Sequence, residues 1–306
     1  MNYEEFLTSM KEDLKSDLEQ EGYDVIVEIA DVKNVKEGPY RGLSFRKKAS
    51  NVGVTLNAKE AYAAYENGAA YSSVKAKIKT ILADGLGHSP KVDLQVLDDY
   101  EQMKKLLAME LLPKAGNEAL LEELPHKDME DLAVIFMTEI RSHEGERIRI
   151  SVTRKMMEKF GITDEQLYKD ACEYAPILHP AIFKTVTDMI AGFMGMDASC
   201  FFPEPVPIMV ATTDDAYKGA AVILYPGFLQ KVADDLECSY FVLPSSIHEM
   251  LIIRDDGVSS YEELSSMVPS INEEQVMPDE RLSDNVYYYD REAQAFGLAK
   301  RKAFIS

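Results

Sequence analysis

The sequence predicts an α+β protein, with a helix-and-hairpin N-terminal lobe and a C-terminal lobe of β-β-α units around a mainly antiparallel sheet. Three observations predict it. Apolar residues recur at helical spacing in some stretches, as at Phe6, Leu7, Met10, Leu14 and Leu18, and at alternate positions in others, as at Val25, Val27 and Ile29. These are the periods of an amphipathic helix and of a half-buried strand. Strand-like runs come in neighbouring pairs closed by polar turns, as antiparallel hairpins do. The order strand, turn, strand, helix also occurs twice, over residues 132–160 and 206–237, as a shared pattern without shared residues.

Taken in order, residues 4–20 read as a helix that Gly22 stops. Strands follow at 24–35, 41–48 and 51–56, with Gly38 and Pro39 as the turn between the first two. Asn57 is placed to cap the next helix, with Glu60 as its reciprocal partner in a capping box. That helix covers 58–66 and a second covers 72–83; residues 84–90 read as a connector, and 92–112 as a helix closed by Pro113. The stretch 113–118 is the expected boundary, giving an N-terminal lobe at 1–113 and a C-terminal lobe at 119–306.

Beyond that boundary, 132–140 reads as a buried strand, 147–152 as its alternating partner and 155–160 as a helix ended by Gly161. Thr163 opens a helix running to about residue 174, Pro176 and Pro180 break the chain, and 183–193 is again helical. Residues 207–213 and 219–225 read as the two arms of a hairpin, so that the four strands of both units share one sheet. Pro226 suits the first turn of the helix at 227–237, and strands at 240–243 and 249–254 flank a corner at 244–248. A short helix at 260–268 and a tyrosine-rich strand pair beyond residue 284 close the chain.

Composition narrows the function classes. At 306 residues with 46% apolar content, the chain is long enough to bury a large core. A net charge of −20 argues against nucleic acid, because phosphate binding needs clustered cations. The charge is uneven: six basic residues lie between Lys33 and Lys48, and eleven acids between Asp255 and Glu292. Opposed patches of this kind could attract each other within or between molecules, but a solvated hairpin and a solvated acidic face are the favoured account of them. No apolar run reaches membrane-spanning length, and the acidic start lacks the basic region of a signal peptide. Cys172, Cys200 and Cys238 are widely spaced and form no Cys-x-x-Cys pair, which fits structural thiols in a reducing compartment; a cytoplasmic protein is expected.

The candidate chemistry concentrates in one segment. Ser245, Ser246, His248 and Glu249 bring a hydroxyl, an imidazole and a carboxylate within five residues. A working triad joins residues from separate parts of the chain, however, and no Gly-x-Ser-x-Gly elbow surrounds either serine. The competing reading makes Ser245 and Ser246 a turn and His248 a group that satisfies nearby backbone. The five histidines (His88, His126, His143, His179, His248) show no helical pairing, and no glycine pattern cradles a phosphate, so neither a metal nor a cofactor is expected. Asp214 and Asp215, like Asp234 and Asp235, are explained as solvated acids. Tyr287, Tyr288 and Tyr289 cannot all face inward from one strand, so a contact edge is expected there.

Several segments together resemble a known family: SFRKKASNVGVTLNAKEAYAAYENG, LPHKDMEDLAVIF, ISVTRKMMEKFGITDEQLYKDA and GAAVILYPGFLQKVADDLECSYFVLPSSIHEMLII. The family is an uncharacterised one of similar-sized proteins in Gram-positive anaerobic bacteria, described as a domain of unknown function. The resemblance spans nearly the whole chain and brings no reaction, cofactor or catalytic residue. It implies one full-length bacterial unit whose 245–249 segment is worth testing.

The expectation is therefore a non-enzymatic binding or regulatory module whose partner is itself or another protein, with neither nucleic acid nor membrane involved. A hydrolase using Ser245 or Ser246 with His248 and Glu249 is the alternative. A small-molecule sensor with a pocket between the lobes is a third.

Overall fold

A capping box starts the first helix of the computed structural model: Asn2 Oδ1 accepts from the Glu5 amide, and Glu5 accepts from the Asn2 amide, both at 2.9 Å. The structure describes residues 1–34, 38–50, 52–87, 92–142, 145–195, 207–244, 246–258 and 260–299. The chain divides into two compact units, Met1–Val96 with Ile140–Arg149, and Leu97–Glu139 with Ile150–Ser306.

In the first unit, α1 (Tyr3–Gln20) lays Phe6, Leu7, Met10, Leu14 and Leu18, all fully buried, on an antiparallel sheet. That sheet is β1 (Val25–Asn34), β2 (Gly38–Lys47) and β3 (Gly53–Leu56), in sequence order. The helices α2 (Lys59–Glu66) and α3 (Tyr71–Gly87) complete the unit. Val74, Ile78, Leu82 and Leu86 of α3 share the core with α1, and Lys75–Asp17 and Lys79–Glu21 ion pairs lace the two together. Asn57 accepts from the Lys59 amide, but Ala58 is the cap residue of α2, so the expected Asn57–Glu60 box does not form. The supposed connector from residue 84 is helical through Gly87. Of the basic stretch, Arg41 pairs with Glu4 and Asp31, and Lys48 with Asp24, all within this unit.

The second unit overturns the helix expected at 92–112. Only α4 (Tyr100–Met103) is α-helical there, between short 3-10 turns, and Leu107–Pro113 is a strand, β4. Pairing decides this: β4 runs antiparallel to β6 (Leu132–Arg141), from Leu107 opposite Thr138 to Pro113 opposite Leu132, and partner strands override a weak helical preference. The one-turn α5 (Glu118–Leu121) leads to β5 (His126–Met129), which also pairs with β6, as does β7 (Arg147–Ser151). Leu132, Val134 and Phe136 of β6 enter the main core, while Ala133, Ile135 and Met137 enter a second one on its other face. Both faces are buried, so the strand reads as an unbroken apolar run.

Thr153 caps α6 (Arg154–Phe160), which Gly161 ends in a left-handed turn (φ 66°). Thr163 caps α7 (Asp164–Leu178). Pro176 does not break α7: the helix continues past it, and the His179 amide still donates to the Ala175 carbonyl at 2.8 Å. The segment expected as one helix at 183–193 is split, β8 (Ala181–Thr185) preceding α8 (Val186–Met194).

The remaining strands form a six-stranded antiparallel sheet with β8. They are β9 (Ile208–Thr213), β10 (Tyr240–Leu243), β11 (Met250–Arg254), β12 (Tyr287–Asp290) and β13 (Ala295–Leu298), in the spatial order β13-β12-β10-β11-β9-β8. Helices α9 (Phe228–Leu236) and α10 (Tyr261–Gln275) interrupt them in sequence, and Pro269 lies within α10. The protein is α+β with mainly antiparallel sheets, as the sequence predicts. The second strand-turn-strand-helix unit is not realised, however: Gly219–Leu224 is a buried 3-10 turn, and β6 and β9 lie in different sheets. Lys218 in the left-handed region (φ 56°) turns the chain away from a hairpin.

Tyr287 and Tyr289 point into the main core at 1% and 4% exposure, and Tyr288 packs on the opposite face against Phe241. Because β12 lies between β10 and β13, the expected tyrosine edge is replaced by an interior strand with both faces engaged. Tyr287 is anchored by Asp131, which also accepts from Ser283 (2.6 Å) and Asn285 (3.0 Å). Burial pushes the Asp131 carboxyl up, but these three donors outweigh it and hold it below the usual carboxylate range.

Candidate functional site

The polar groups of the second unit converge on the loop that follows β9. Asp215 shapes it: its Oδ1 accepts from Thr213 Oγ1 at 2.7 Å and from the Tyr217 amide at 3.1 Å. Ala216 and Lys218 both take left-handed conformations, at φ 53° and 56°. Two such non-glycine residues in three positions store backbone strain, which the surroundings must hold in place. Gly219 supplies part of that hold. A Cβ there would lie 2.2 Å from Thr212 Oγ1, 2.5 Å from the Thr213 amide and 2.7 Å from the His248 carbonyl. Beneath the loop, Lys218 Nζ faces Glu110 of β4 at 3.6 Å, with both side chains largely shielded from water.

One side of the loop carries His179, which α7 presents at its C-terminal end. Tyr225 donates to the His179 carbonyl at 3.0 Å and fixes the backbone. The imidazole is buried, and its Nε2 meets Glu139 Oε2 at 3.0 Å, an equally buried carboxylate that continues the apolar run of β6. An ionised carboxylate only accepts, so this contact places the ring proton on Nε2. Nδ1 then faces Asp215 Oδ2 at 3.8 Å, and Asp214 brings a second carboxylate to the same corner. One ligand atom from each of His179, Asp214 and Asp215 lies within 4.8 Å of the others.

The other side carries the segment that the sequence singles out. Ser245 lies outside the described residues, as do His88, His143 and Cys200. Ser246 is buried, and its Oγ accepts from the amide of His248 at 3.0 Å, closing the turn. The His248 imidazole accepts at Nδ1 from the Lys218 amide at 3.2 Å and turns Nε2 towards Glu280 at 3.4 Å. Its carbonyl accepts from Thr212 Oγ1 at 2.7 Å, and its ring lies 5.7 Å from that of Tyr217. Burial pushes the Glu249 carboxyl up and Glu280 adds to this, against the pull of His248 and the Ser246 hydroxyl. The residues thus meet in space, but one His248 ring nitrogen accepts from a backbone amide and the other faces Glu280, while the Ser246 hydroxyl serves the His248 amide and Glu249.

Tyr288 bonds Asp255 at 2.7 Å and lines a polar cleft of about 510 Å³ with Cys238, Ser239 and Arg291. Sequence reasoning missed the His179–Glu139 pair; Asp214 and Asp215, read as solvated acids, are indeed exposed, and what the sequence did not show is that they stand beside His179. The one available signal was Glu139 at the end of a run otherwise suited to burial; forty residues separate it from His179, and no local spacing rule links them.

Fold and site together define an α+β protein whose polar centre is a strained loop held between two imidazole–carboxylate pairs. The chain belongs to DUF5688, a family of unknown function, which it matches over residues 3–291. No curated protein and no solved structure matches it. Among the described residues, no helix is long and apolar enough to cross a membrane.

Proposed function

We propose that this protein acts by binding, as a ligand-responsive or regulatory module, and that the 213–219 loop of its second unit is the binding face. The observation that carries the reading is the state of His248. With Nδ1 accepting from the Lys218 amide and Ser246 Oγ accepting from the His248 amide, base and hydroxyl serve the loop instead of each other. Their role is to hold a strained loop in one conformation, which is what a preformed binding face requires. The loop presents Asp214 and Asp215 beside a Tyr217 ring that is 44% exposed. Carboxylates beside an aromatic face favour a cationic ligand.

The competing hydrolase reading is tested by treating the full chain with a fluorophosphonate probe and mapping adducts by mass spectrometry. No serine adduct is expected. An adduct on Ser245 or Ser246 that disappears in His248→Ala would restore the enzyme reading.

A further inference from the structure

We infer that the loop binds a divalent transition metal, Zn2+ or Mn2+, through His179 Nδ1, Asp214 and Asp215, with Glu139 holding the imidazole from behind. The inference deepens the binding reading by naming its ligand.

The first support is the arrangement of the donors. Their ligand atoms already lie within 4.8 Å of one another. A tetrahedral zinc site with bonds of about 2.0–2.2 Å separates its ligand atoms by roughly 3.3 Å. Asp215, its Oδ1 tied to Thr213 and the Tyr217 amide, already sets Oδ2 3.8 Å from His179 Nδ1, and a small rotation of the exposed Asp214 side chain brings in the third ligand atom.

The second support is independent of the aspartates. Glu139 and His179 are both deeply buried, their side chains 2% and 5% exposed, and they meet at 3.0 Å. A carboxylate that accepts the Nε2 proton fixes the tautomer, so the lone pair of Nδ1 points at the aspartate corner. Carboxylates stand behind metal-bound histidines in this way. An imidazole nitrogen and two carboxylates gathered at one corner offer a cation three ligand atoms. One imidazole with two carboxylates suits Zn2+ or Mn2+; Mg2+ and Ca2+ prefer sites built from oxygen alone.

Binding is measured by isothermal titration of EDTA-treated full-length protein with Zn2+ and, separately, Mn2+, the latter also followed by electron paramagnetic resonance. One equivalent of at least one of these metals is expected to bind. The double variant Asp214→Asn/Asp215→Asn is expected to lose it without unfolding, because asparagine keeps the oxygen that accepts from Thr213 and the Tyr217 amide. Glu139→Gln is expected to weaken affinity by about 10–100-fold. The control Glu273→Gln/Glu274→Gln, on the exposed face of α10, leaves it unchanged. The inference is overturned if neither metal binds, or if binding survives in the Asp214/Asp215 variant while circular dichroism shows it folded. Failure here, with no adduct in the fluorophosphonate experiment, removes the metal and leaves a binding face for an organic cation; an adduct removes the binding reading itself.

Discussion

Charged side chains in this protein owe their behaviour to burial as much as to their partners. Glu249 is half-buried beside Glu280, and desolvation is the largest influence raising its carboxyl above the ordinary value. A carboxyl raised in the folded state binds its proton more tightly there than in the unfolded chain. It therefore costs stability at pH above its folded value, and that cost fades as pH falls through the folded value towards the unfolded one. Glu249→Gln keeps an acceptor for Ser246 and removes the charge. Its melting temperature should exceed that of the wild type at pH 7–8, and the two should converge below about pH 4, close to the unfolded carboxyl value. A difference that widens on acidification would contradict this account.

Among the elements, Gly219–Leu224 shows how one close approach redirects a segment. Its residues would suit a strand, yet the chain curls there, with Gly219 wedged against Thr212, Thr213 and the His248 carbonyl and the Ala220 amide donating to Ile247. Two of the three atoms that a Cβ would strike belong to backbone and cannot swing aside. Gly219→Ala should therefore cost about 3 kcal/mol in urea unfolding. It should also displace His248, seen as a shift of its imidazole resonances. An alanine accommodated at no cost would mean that the loop is not held from this side.

At the scale of the whole molecule, two sets of apolar residues fold around separate centres. Phe6 to Leu86 supply the first core, and the residues from Met103 to Tyr289 supply the largest of those in the second unit. Compact units, each with its own main core, are expected to unfold as separate cooperative units, while several cores within one unit melt together. Calorimetry of the full chain should resolve two transitions, and Leu14→Ala, which empties a fully buried site in α1, should lower one by about 2–5 kcal/mol and leave the other in place. A single transition that moves as a whole would show that the units melt together.

What the sequence determined by itself was local: the α1 stripe, the alternation of β1, the apolar run of β6, the helix opening at Thr163 and the α+β class that follows from them. Each rests on residues within a few positions of one another. The tertiary structure alone decided that 107–113 is a strand, that 219–224 is not, that Tyr287 and Tyr289 lie inside, and that Glu139, His179 and Asp215 meet. Those outcomes depend on neighbours brought together from distant positions, and strand pairing, close backbone contact and burial outweigh a local preference worth only a few tenths of a kcal/mol per residue.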